Sequence, residues 1–519
     1  MIDLRRRDFL AATAAGMGIL ILPDWAFAAG DAPGDDPAAA LKLGWTGSLK
    51  WGNVVDVTRF DGRDWHEKLT AAQRAVVEMG GGVVYFPAGK YQFRDHLKIK
   101  DGVVLRGADP RGVTEAANER YAPPTRFEFP RYEPSFGGDG APIDSAFKGI
   151  CLEYPAGGAN TGVVNIDINR GHIHLLESED HRCGANRIVF GCVLRNAAVA
   201  DPSVPYLDEG QHAWQRFTAR HHAAIDAKAA ENLLVANNRL PKSGDDDFVM
   251  KGFVLRKSRG KTPVYDVPFD YDNRPGLYIN HYCVGGAGGS GDDGTPQSHP
   301  YGFRKGTVIV DNYVYNTGRM GIGFCGDGVI CSRNITRIEK DVWRPTATGR
   351  DATYGSSTND NRAIEMRGWR WVVENNDCEV HRNWCADRSY LINDGEGLMH
   401  EDHCNSTVVD SRLVGNKVNS YLSIYKCGPI DGLHVEGNDV SIPGQIADIY
   451  VVANRNSGPQ PCRNVTIVGN VTRSNGILLA GDPASGNVIQ GNQHKSGRPG
   501  YLKNEAKAKV EGNKNYEAS

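Results

Sequence analysis

The densest polar stretch of the 519-residue chain is Asn393-Asp394-Gly395-Glu396-Gly397-Leu398-Met399-His400-Glu401-Asp402-His403. Glu365 precedes Glu396 by 31 residues, within Asn361-Arg362-Ala363-Ile364-Glu365-Met366-Arg367, and Lys426 follows His403 by 23, within Tyr421-Leu422-Ser423-Ile424-Tyr425-Lys426. These residue types suit two reactions. β-Elimination from a uronate sugar needs a base for the proton α to the carboxylate, a positive group or metal to neutralise that carboxylate, and an acid for the leaving oxygen. His403 or Lys426 fits the base and Tyr425 the acid. Arg362, Arg367 or a metal on Glu365 and Glu396 fits the neutralising role. Glycoside hydrolysis instead needs two carboxyl groups, drawn from Asp394, Glu396, Glu401 and Asp402. Trp343, Trp369, Trp371, Trp384 and Tyr390 are candidate sugar-stacking platforms. Trp343 and Tyr390 are the preferred ones, because Trp371 runs directly into Val372-Val373 and reads as core. His172 and His174 alternate onto one face of a strand and form a sparser pair of metal-ligand types.

The elements that would position these groups follow from a repeat. An aliphatic residue stands three before an Asn at Ile309…Asn312, Val373…Asn376, Leu413…Asn416, Val435…Asn438, Ile467…Asn470, Ile489…Asn492 and Val510…Asn513, and Gly directly precedes five of these Asn residues. From Asn416 onward the intervals are 22, 32, 22 and 21 residues, a period of stacked coils. A single coil cannot bury its apolar side, but a stack shares one core. The aliphatic residue is expected inward, Gly-Asn at a left-handed turn, and the Asn side chains hydrogen-bonded up the stack. Strands one coil apart lie about 4.8 Å from each other, so the spacing predicts Glu365 beside Glu396 and His403 beside Lys426, on one face.

At the N-terminal end, residues 64–79 have helical spacing with Leu69, Ala72, Val76 and Met79 on one side, and Gly80-Gly81-Gly82 ends the helix. Strands follow at Val83–Phe86, Leu97–Ile99 and Val103–Gly107. The run GGGVVYFPAGKYQF with GVVLRG resembles the cap and first coils of the pectate-lyase-like superfamily. That implies an all-β, right-handed parallel β-helix with an N-terminal capping helix. From Asn361 through Asn438 the layout is also similar to the calcium-dependent alginate lyase and chondroitinase B family, with Asp394-Gly395-Glu396 matching its middle motif. This second resemblance implies calcium as a cofactor. The chain departs from the family at Leu398, where a second metal carboxylate is expected, and at His403 (or Asp402) and Tyr425-Lys426, which replace a Lys and an Arg-His.

Arg5-Arg6-Arg7-Asp8-Phe9-Leu10, the apolar run to Leu22 and Ala26-Phe27-Ala28 read as a twin-arginine signal peptide over residues 1–28. The run is too short for a membrane span. Residues 29–50 read as a linker and 51–519 as a single β-helix domain. Long insertions are expected around 200–230 and 241–305, where the period is lost. A net charge of −3 does not suit a nucleic-acid partner. The eleven Cys leave at least one thiol unpaired; Cys378, Cys404 and Cys427 fall about one coil apart and read as stacked core residues. The sequence thus predicts a monomeric periplasmic or secreted protein whose partner is a polysaccharide. It is expected to be a lyase, with a glycoside hydrolase or a non-catalytic glycan-binding β-helix as the alternatives.

Overall fold

The computed structural model describes residues 34–130, 149–153, 158–175, 185–195, 224–227, 231–241, 253–254, 268–269, 305–315, 320–338, 362–380, 396–401, 407–419, 421–441, 447–455 and 458–518. The strands of successive coils pair in parallel into three long sheets, so the chain is a right-handed parallel β-helix. Among the described residues the first sheet has 15 strands and the second 12. The third is in two parts, of four and nine strands, to either side of the 241–305 segment. Two short antiparallel pairs, Phe253–Val254 with Pro268–Phe269 and Asn454–Arg455 with Gly458–Pro459, depart from the parallel pattern.

The corner between the first and second sheets sets the coil. It consists of two residues throughout the ladder, the first left-handed and the second an Asn. Gly415, Gly437, Gly469, Gly491 and Gly512 have φ of 62–64°, and Asn237, Asp311, Arg333 and Asn375 adopt the same conformation at 53–58°. The following Asn is buried at every corner but the last, at Asn513. In Asn438, one Nδ2 hydrogen reaches Asn470 Oδ1 at 2.9 Å and the other Leu413 O at 2.9 Å. Asn438 Oδ1 accepts from the Asn416 amide and Nδ2, both at 2.9 Å. Two donors and two lone pairs are thereby all used. The same pattern links Asn238, Asn312, Asn334, Asn376, Asn416, Asn438, Asn470, Asn492 and Asn513. The left-handed residue is therefore the one before the Asn, and the Asn is an inward rung. The aliphatic residue three places earlier faces the core and lends its carbonyl to the Asn of the next coil. Val84, Leu105, Val163, Val189, Val235, Ile309, Cys331, Val373, Leu413, Val435, Ile467 and Ile489 form one such buried column. It ends on Val510, 45% exposed.

The cap is the helix Trp65–Glu78, α1, the single α-helix among the described residues. Asp64 caps it by accepting from the Glu67 amide. Leu69, Ala72 and Val76 close the end of the core, while Met79 lies outside it and is exposed. Gln73 takes the fourth inward place, donating to Lys98 O and accepting from Lys100 N, both at 2.9 Å; an amide there satisfies the strand edge that a methionine would leave open. Residues 34–50, read as a linker, are packed structure. Ala38, Leu41, Leu43 and Leu49 join Trp51 in a second core against the outer face of the first sheet, at Val83, Val104 and Val164. Arg106, fully buried, donates to Asp35 O, pairs with Asp109 at 3.0 Å and lies over the Trp51 ring. No described helix is long and apolar enough to cross a membrane.

Asn438→Ala removes two hydrogen bonds given and two received inside the core. The expected loss is about 3 kcal/mol, read as a lowered urea midpoint. Asn160→Gly, at an exposed left-handed position (φ 52°) of the outer turn, is expected to stay within about 0.5 kcal/mol of the parent. Equal losses would show that the inner ladder has no special role.

Candidate functional site

Corner length locates the variable face. The first-to-second corner stays tight, but the chain lengthens where it leaves the second sheet for the third: between Arg195 and Ile225, Ile338 and Arg362, Val380 and Glu396, and Val440 and Ile449. The long 241–305 segment also starts from a second-sheet strand, Arg239–Leu240. Insertions of this kind carry function on rigid scaffolds. The first four each lead in sequence to a third-sheet strand, and that sheet also holds the polar stretches singled out in the sequence.

In the strands Met320–Asp327, Arg362–Trp369, Glu396–Glu401, Tyr421–Cys427, Ile449–Arg455, Gly476–Ala480 and Gly500–Asn504, alternate residues face the core. Ile322, Phe324, Ile364, Met366, Leu422, Ile424, Ile449, Val451, Ile477, Leu479 and Leu502 are its buried members. The positions between them belong to the outer face. One outer column runs Gly323, Glu365, Met399, Ser423, Tyr450, Leu478, Lys503 in register. Two residues further along, Cys325 pairs with Arg367, and Glu401 with Tyr425.

This register corrects the expectation that Glu365 stands beside Glu396. Glu396 pairs with Arg362, and Glu365 pairs with Met399. The two glutamates are three residues apart along the strands, roughly 10 Å. The interval in sequence misled because it also counts the insertion between the two strands, whose length says nothing about register. Glu365, Arg367 and Trp369 share the outer alternation of their strand.

Glu365 is 1% exposed although it is on the outer face. Arg367 holds it: Nη2 lies 2.7 Å and Nε 3.0 Å from the same carboxylate oxygen. Trp369 follows on that face, with the Arg370 guanidinium over its ring, and Arg370 pairs with Asp327. A calcium ion on Glu365 and Glu396 does not fit this arrangement, since one carboxylate is committed to Arg367 and the other is out of register with it. Among the described residues no three His, Cys, Asp or Glu side chains come together to hold a metal.

Tyr425 and Lys426 occupy an irregularity in the sheet. Ile424 pairs with Val451 but Cys427 with Ala453, so the two residues between them oppose Val452 alone. Such a bulge bends the strand and redirects its side chains. The Tyr425 ring meets the Tyr450 ring edge to face, 6.2 Å between centroids. Burial pushes the Tyr450 phenol up, and burial with the Asp448 charge and Tyr450 pushes Tyr501 up to about 12. Both phenols therefore keep their protons at neutral pH. Asp448 shapes the end of this region by accepting from the amides of Ser474, Asn475 and Gly476 at 2.8–3.1 Å.

The backbone of Arg362, Glu396, Glu401 and Lys426 is placed as stated. Asp394, His403, Trp343, Tyr390 and Trp384 lie outside the described residues. Trp371 is fully buried core, as its sequence context implies. Cys378 is a buried core thiol but does not stack on Cys427: it belongs to the second sheet and Cys427 to the third. His172 and His174 stack ring on ring at 3.9 Å, with His174 in register with Cys151. Sequence reasoning missed Ser423 and Tyr450. Apolar alternation in Leu422-Ser423-Ile424-Tyr425 and Ile449-Tyr450-Val451 could have placed both on the outer face.

The sequence matches no protein-family model and no curated protein. Among solved structures, the fold is similar to the A-module of the Azotobacter vinelandii mannuronan C-5 epimerase AlgE6 (12% identity, 89% of this chain and 99% of that chain, TM-score 0.44). It is also similar to the catalytic unit of the GH87 α-1,3-glucanase of Streptomyces thermodiastaticus (12%, 89% and 68%, 0.42) and to the Streptococcus pneumoniae surface protein and adhesin PfbA (12%, 90% and 98%, 0.40). At this identity and overlap the likeness carries no function across, and the β-helix rests on the strand pairing itself.

Arg367→Ala removes the guanidinium bound to the buried Glu365 carboxylate. The expected destabilisation is about 3–5 kcal/mol, whereas the double variant Glu365→Gln/Arg367→Met recovers most of it. A urea double-mutant cycle with additive losses would show that the two groups are not coupled.

Proposed function

We propose that the chain is an exported enzyme that cleaves a uronate-containing polysaccharide by β-elimination along the outer face of the third sheet. The observation that carries this reading is the Tyr425–Lys426 bulge. It lies on the outer face that also holds the Glu365–Arg367 pair and the Tyr450 ring, two residues along from the column of Glu365, Ser423 and Tyr450. Fixed groups of this kind can act on a polymer running along the stack, because each coil advances it by about 4.8 Å.

In the proposed reaction a base, Lys426 or His403, removes the proton α to the uronate carboxylate. The electron pair forms the new double bond, the glycosidic C–O bond at the β position breaks, and the leaving oxygen takes a proton from Tyr425. Arg367 supplies positive charge against the carboxylate as it gains enolate character. Glu365 keeps that guanidinium in place. The twin-arginine pattern supports a site of action in the periplasm or outside the cell.

The purified chain is to be incubated with alginate, polygalacturonate and chondroitin, following the ultraviolet absorbance of the unsaturated product. Activity on one of them, reduced about 100-fold or more in Tyr425→Phe, is the expected result. New reducing ends without absorbance would instead indicate hydrolysis by paired carboxylates. Binding without cleavage would indicate a glycan-binding scaffold.

A further inference from the structure

Ser423 departs from the way this molecule handles buried polar groups. Leu422 and Ile424 on either side of it point into the core and are fully buried, so alternation puts Ser423 on the outer face. It nevertheless has 0% exposure, and its Oγ is buried without a hydrogen-bond partner. A buried hydroxyl left in that state costs about 1–3 kcal/mol. The other two unpartnered buried hydroxyls among the described residues, Thr307 and Thr336, have a different setting. They pair in register with Leu233 and Val314, which are core residues, so they face the interior. Ser423 is the one that faces the proposed glycan path.

Its surroundings suit a sugar ring. Tyr450 is its register partner on the next strand, and Tyr425 is two residues on along the same face. The two rings meet edge to face at 75°. Aromatic faces take the C–H side of a sugar, and a hydroxyl that can both give and accept completes the ring's polar edge. The described ion pairs of this face lie away from Ser423: Glu365–Arg367 two strands to one side and Lys503–Glu505 three to the other.

We propose that Ser423, Tyr425 and Tyr450 form a subsite for one sugar ring of the polymer, in which Ser423 Oγ bonds a neutral ring hydroxyl, not a carboxylate. This rests on the reading of the outer face as the glycan path. It adds a specificity-determining residue that recognises the sugar's hydroxyl pattern, separately from the group that neutralises the uronate.

The test compares Ser423→Ala with the parent chain in two measurements: thermal unfolding without glycan, and calorimetric titration with oligomannuronate, oligogalacturonate, a chondroitin tetrasaccharide and a cello-oligosaccharide. Ser423→Ala is expected to unfold at the same or a higher temperature, because it removes an unsatisfied polar group. It is expected to bind about tenfold more weakly whichever glycan the parent holds. Tyr450→Ala is expected to weaken the same glycan. A lower unfolding temperature for Ser423→Ala would make its hydroxyl structural and overturn the subsite, as would unchanged affinity. A parent chain that binds without cleaving, together with a weakened Ser423→Ala, removes the lyase reading and upholds the subsite. A parent chain that binds none of the four removes both.

Discussion

A backbone corner that is short and polar can be buried only if every group in it finds a partner. The Asn ladder is how this chain meets that demand. Each Asn spends one amide hydrogen on the next Asn and one on a core-strand carbonyl, and each Oδ1 accepts twice from the coil before. Neighbouring coils are therefore locked at one height and one rotation at this corner. A coil displaced by one residue would break four hydrogen bonds in the interior and turn its apolar side chains outward. The first and second sheets grow from this corner with little freedom, which is why the aliphatic column beneath it stays in register from Val84 to Ile489.

With one corner fixed, the others are released. Among the described residues the return from the second sheet to the third shows no such ladder, and chain length accumulates there while the strands on either side stay paired, since lengthening a loop costs little. The third sheet keeps its strand pairing because its inner residues still fill the common core. Its outer face can then change residue by residue: a buried ion pair at Glu365–Arg367, a bulge at Tyr425–Lys426, a corner of two tyrosines. The scaffold's rigidity and the site's variability have one cause, the separation of the corner that sets register from the corner that admits insertion.

This division also explains what the sequence could reveal. Gly-Asn after an aliphatic residue exposed the ladder at Asn416, Asn438, Asn470, Asn492 and Asn513, because the left-handed residue there is Gly. Asn312 and Asn376 were legible from the aliphatic residue alone, behind Asp311 and Asn375, whereas Asn334 escaped notice because Cys331 stands where the aliphatic residue is expected. The cap helix was legible from Leu69, Ala72 and Val76, but the inward Gln73 was not, since its partners are backbone atoms 25 and 27 residues away. The segment 34–50 looked like a linker because its composition is Ala-, Asp-, Gly- and Pro-rich; its few apolar residues, Leu41, Leu43 and Leu49, are the ones that pack. The third-sheet register was hidden most deeply. Thirty-one residues from Glu365 to Glu396 matches a coil in length, yet the strands pair three residues away from that alignment, and only the pairing itself reveals the outer column.

The buried charges in that column have no structural necessity. Some coils are tied by surface pairs such as Arg463–Asp431 and Arg473–Asp439, whose contribution is small and screened by solvent. Glu365–Arg367 is of another kind, shared with Glu128–Arg170 and Asp327–Arg370: the carboxylate is removed from water, and the desolvation this requires commonly cancels the attraction gained. The same column carries Gly323, Met399 and Leu478 at equivalent positions, so the strand geometry accepts apolar or small residues there. A fold selected for stability alone would place an apolar pair at Glu365 and Arg367. Keeping an arginine fixed by a buried glutamate, on the same face as an unpartnered serine and the Tyr450 and Tyr501 phenols, gives up stability on the face proposed to meet the glycan. The inner Asn ladder, with every group satisfied, is what makes that loss tolerable.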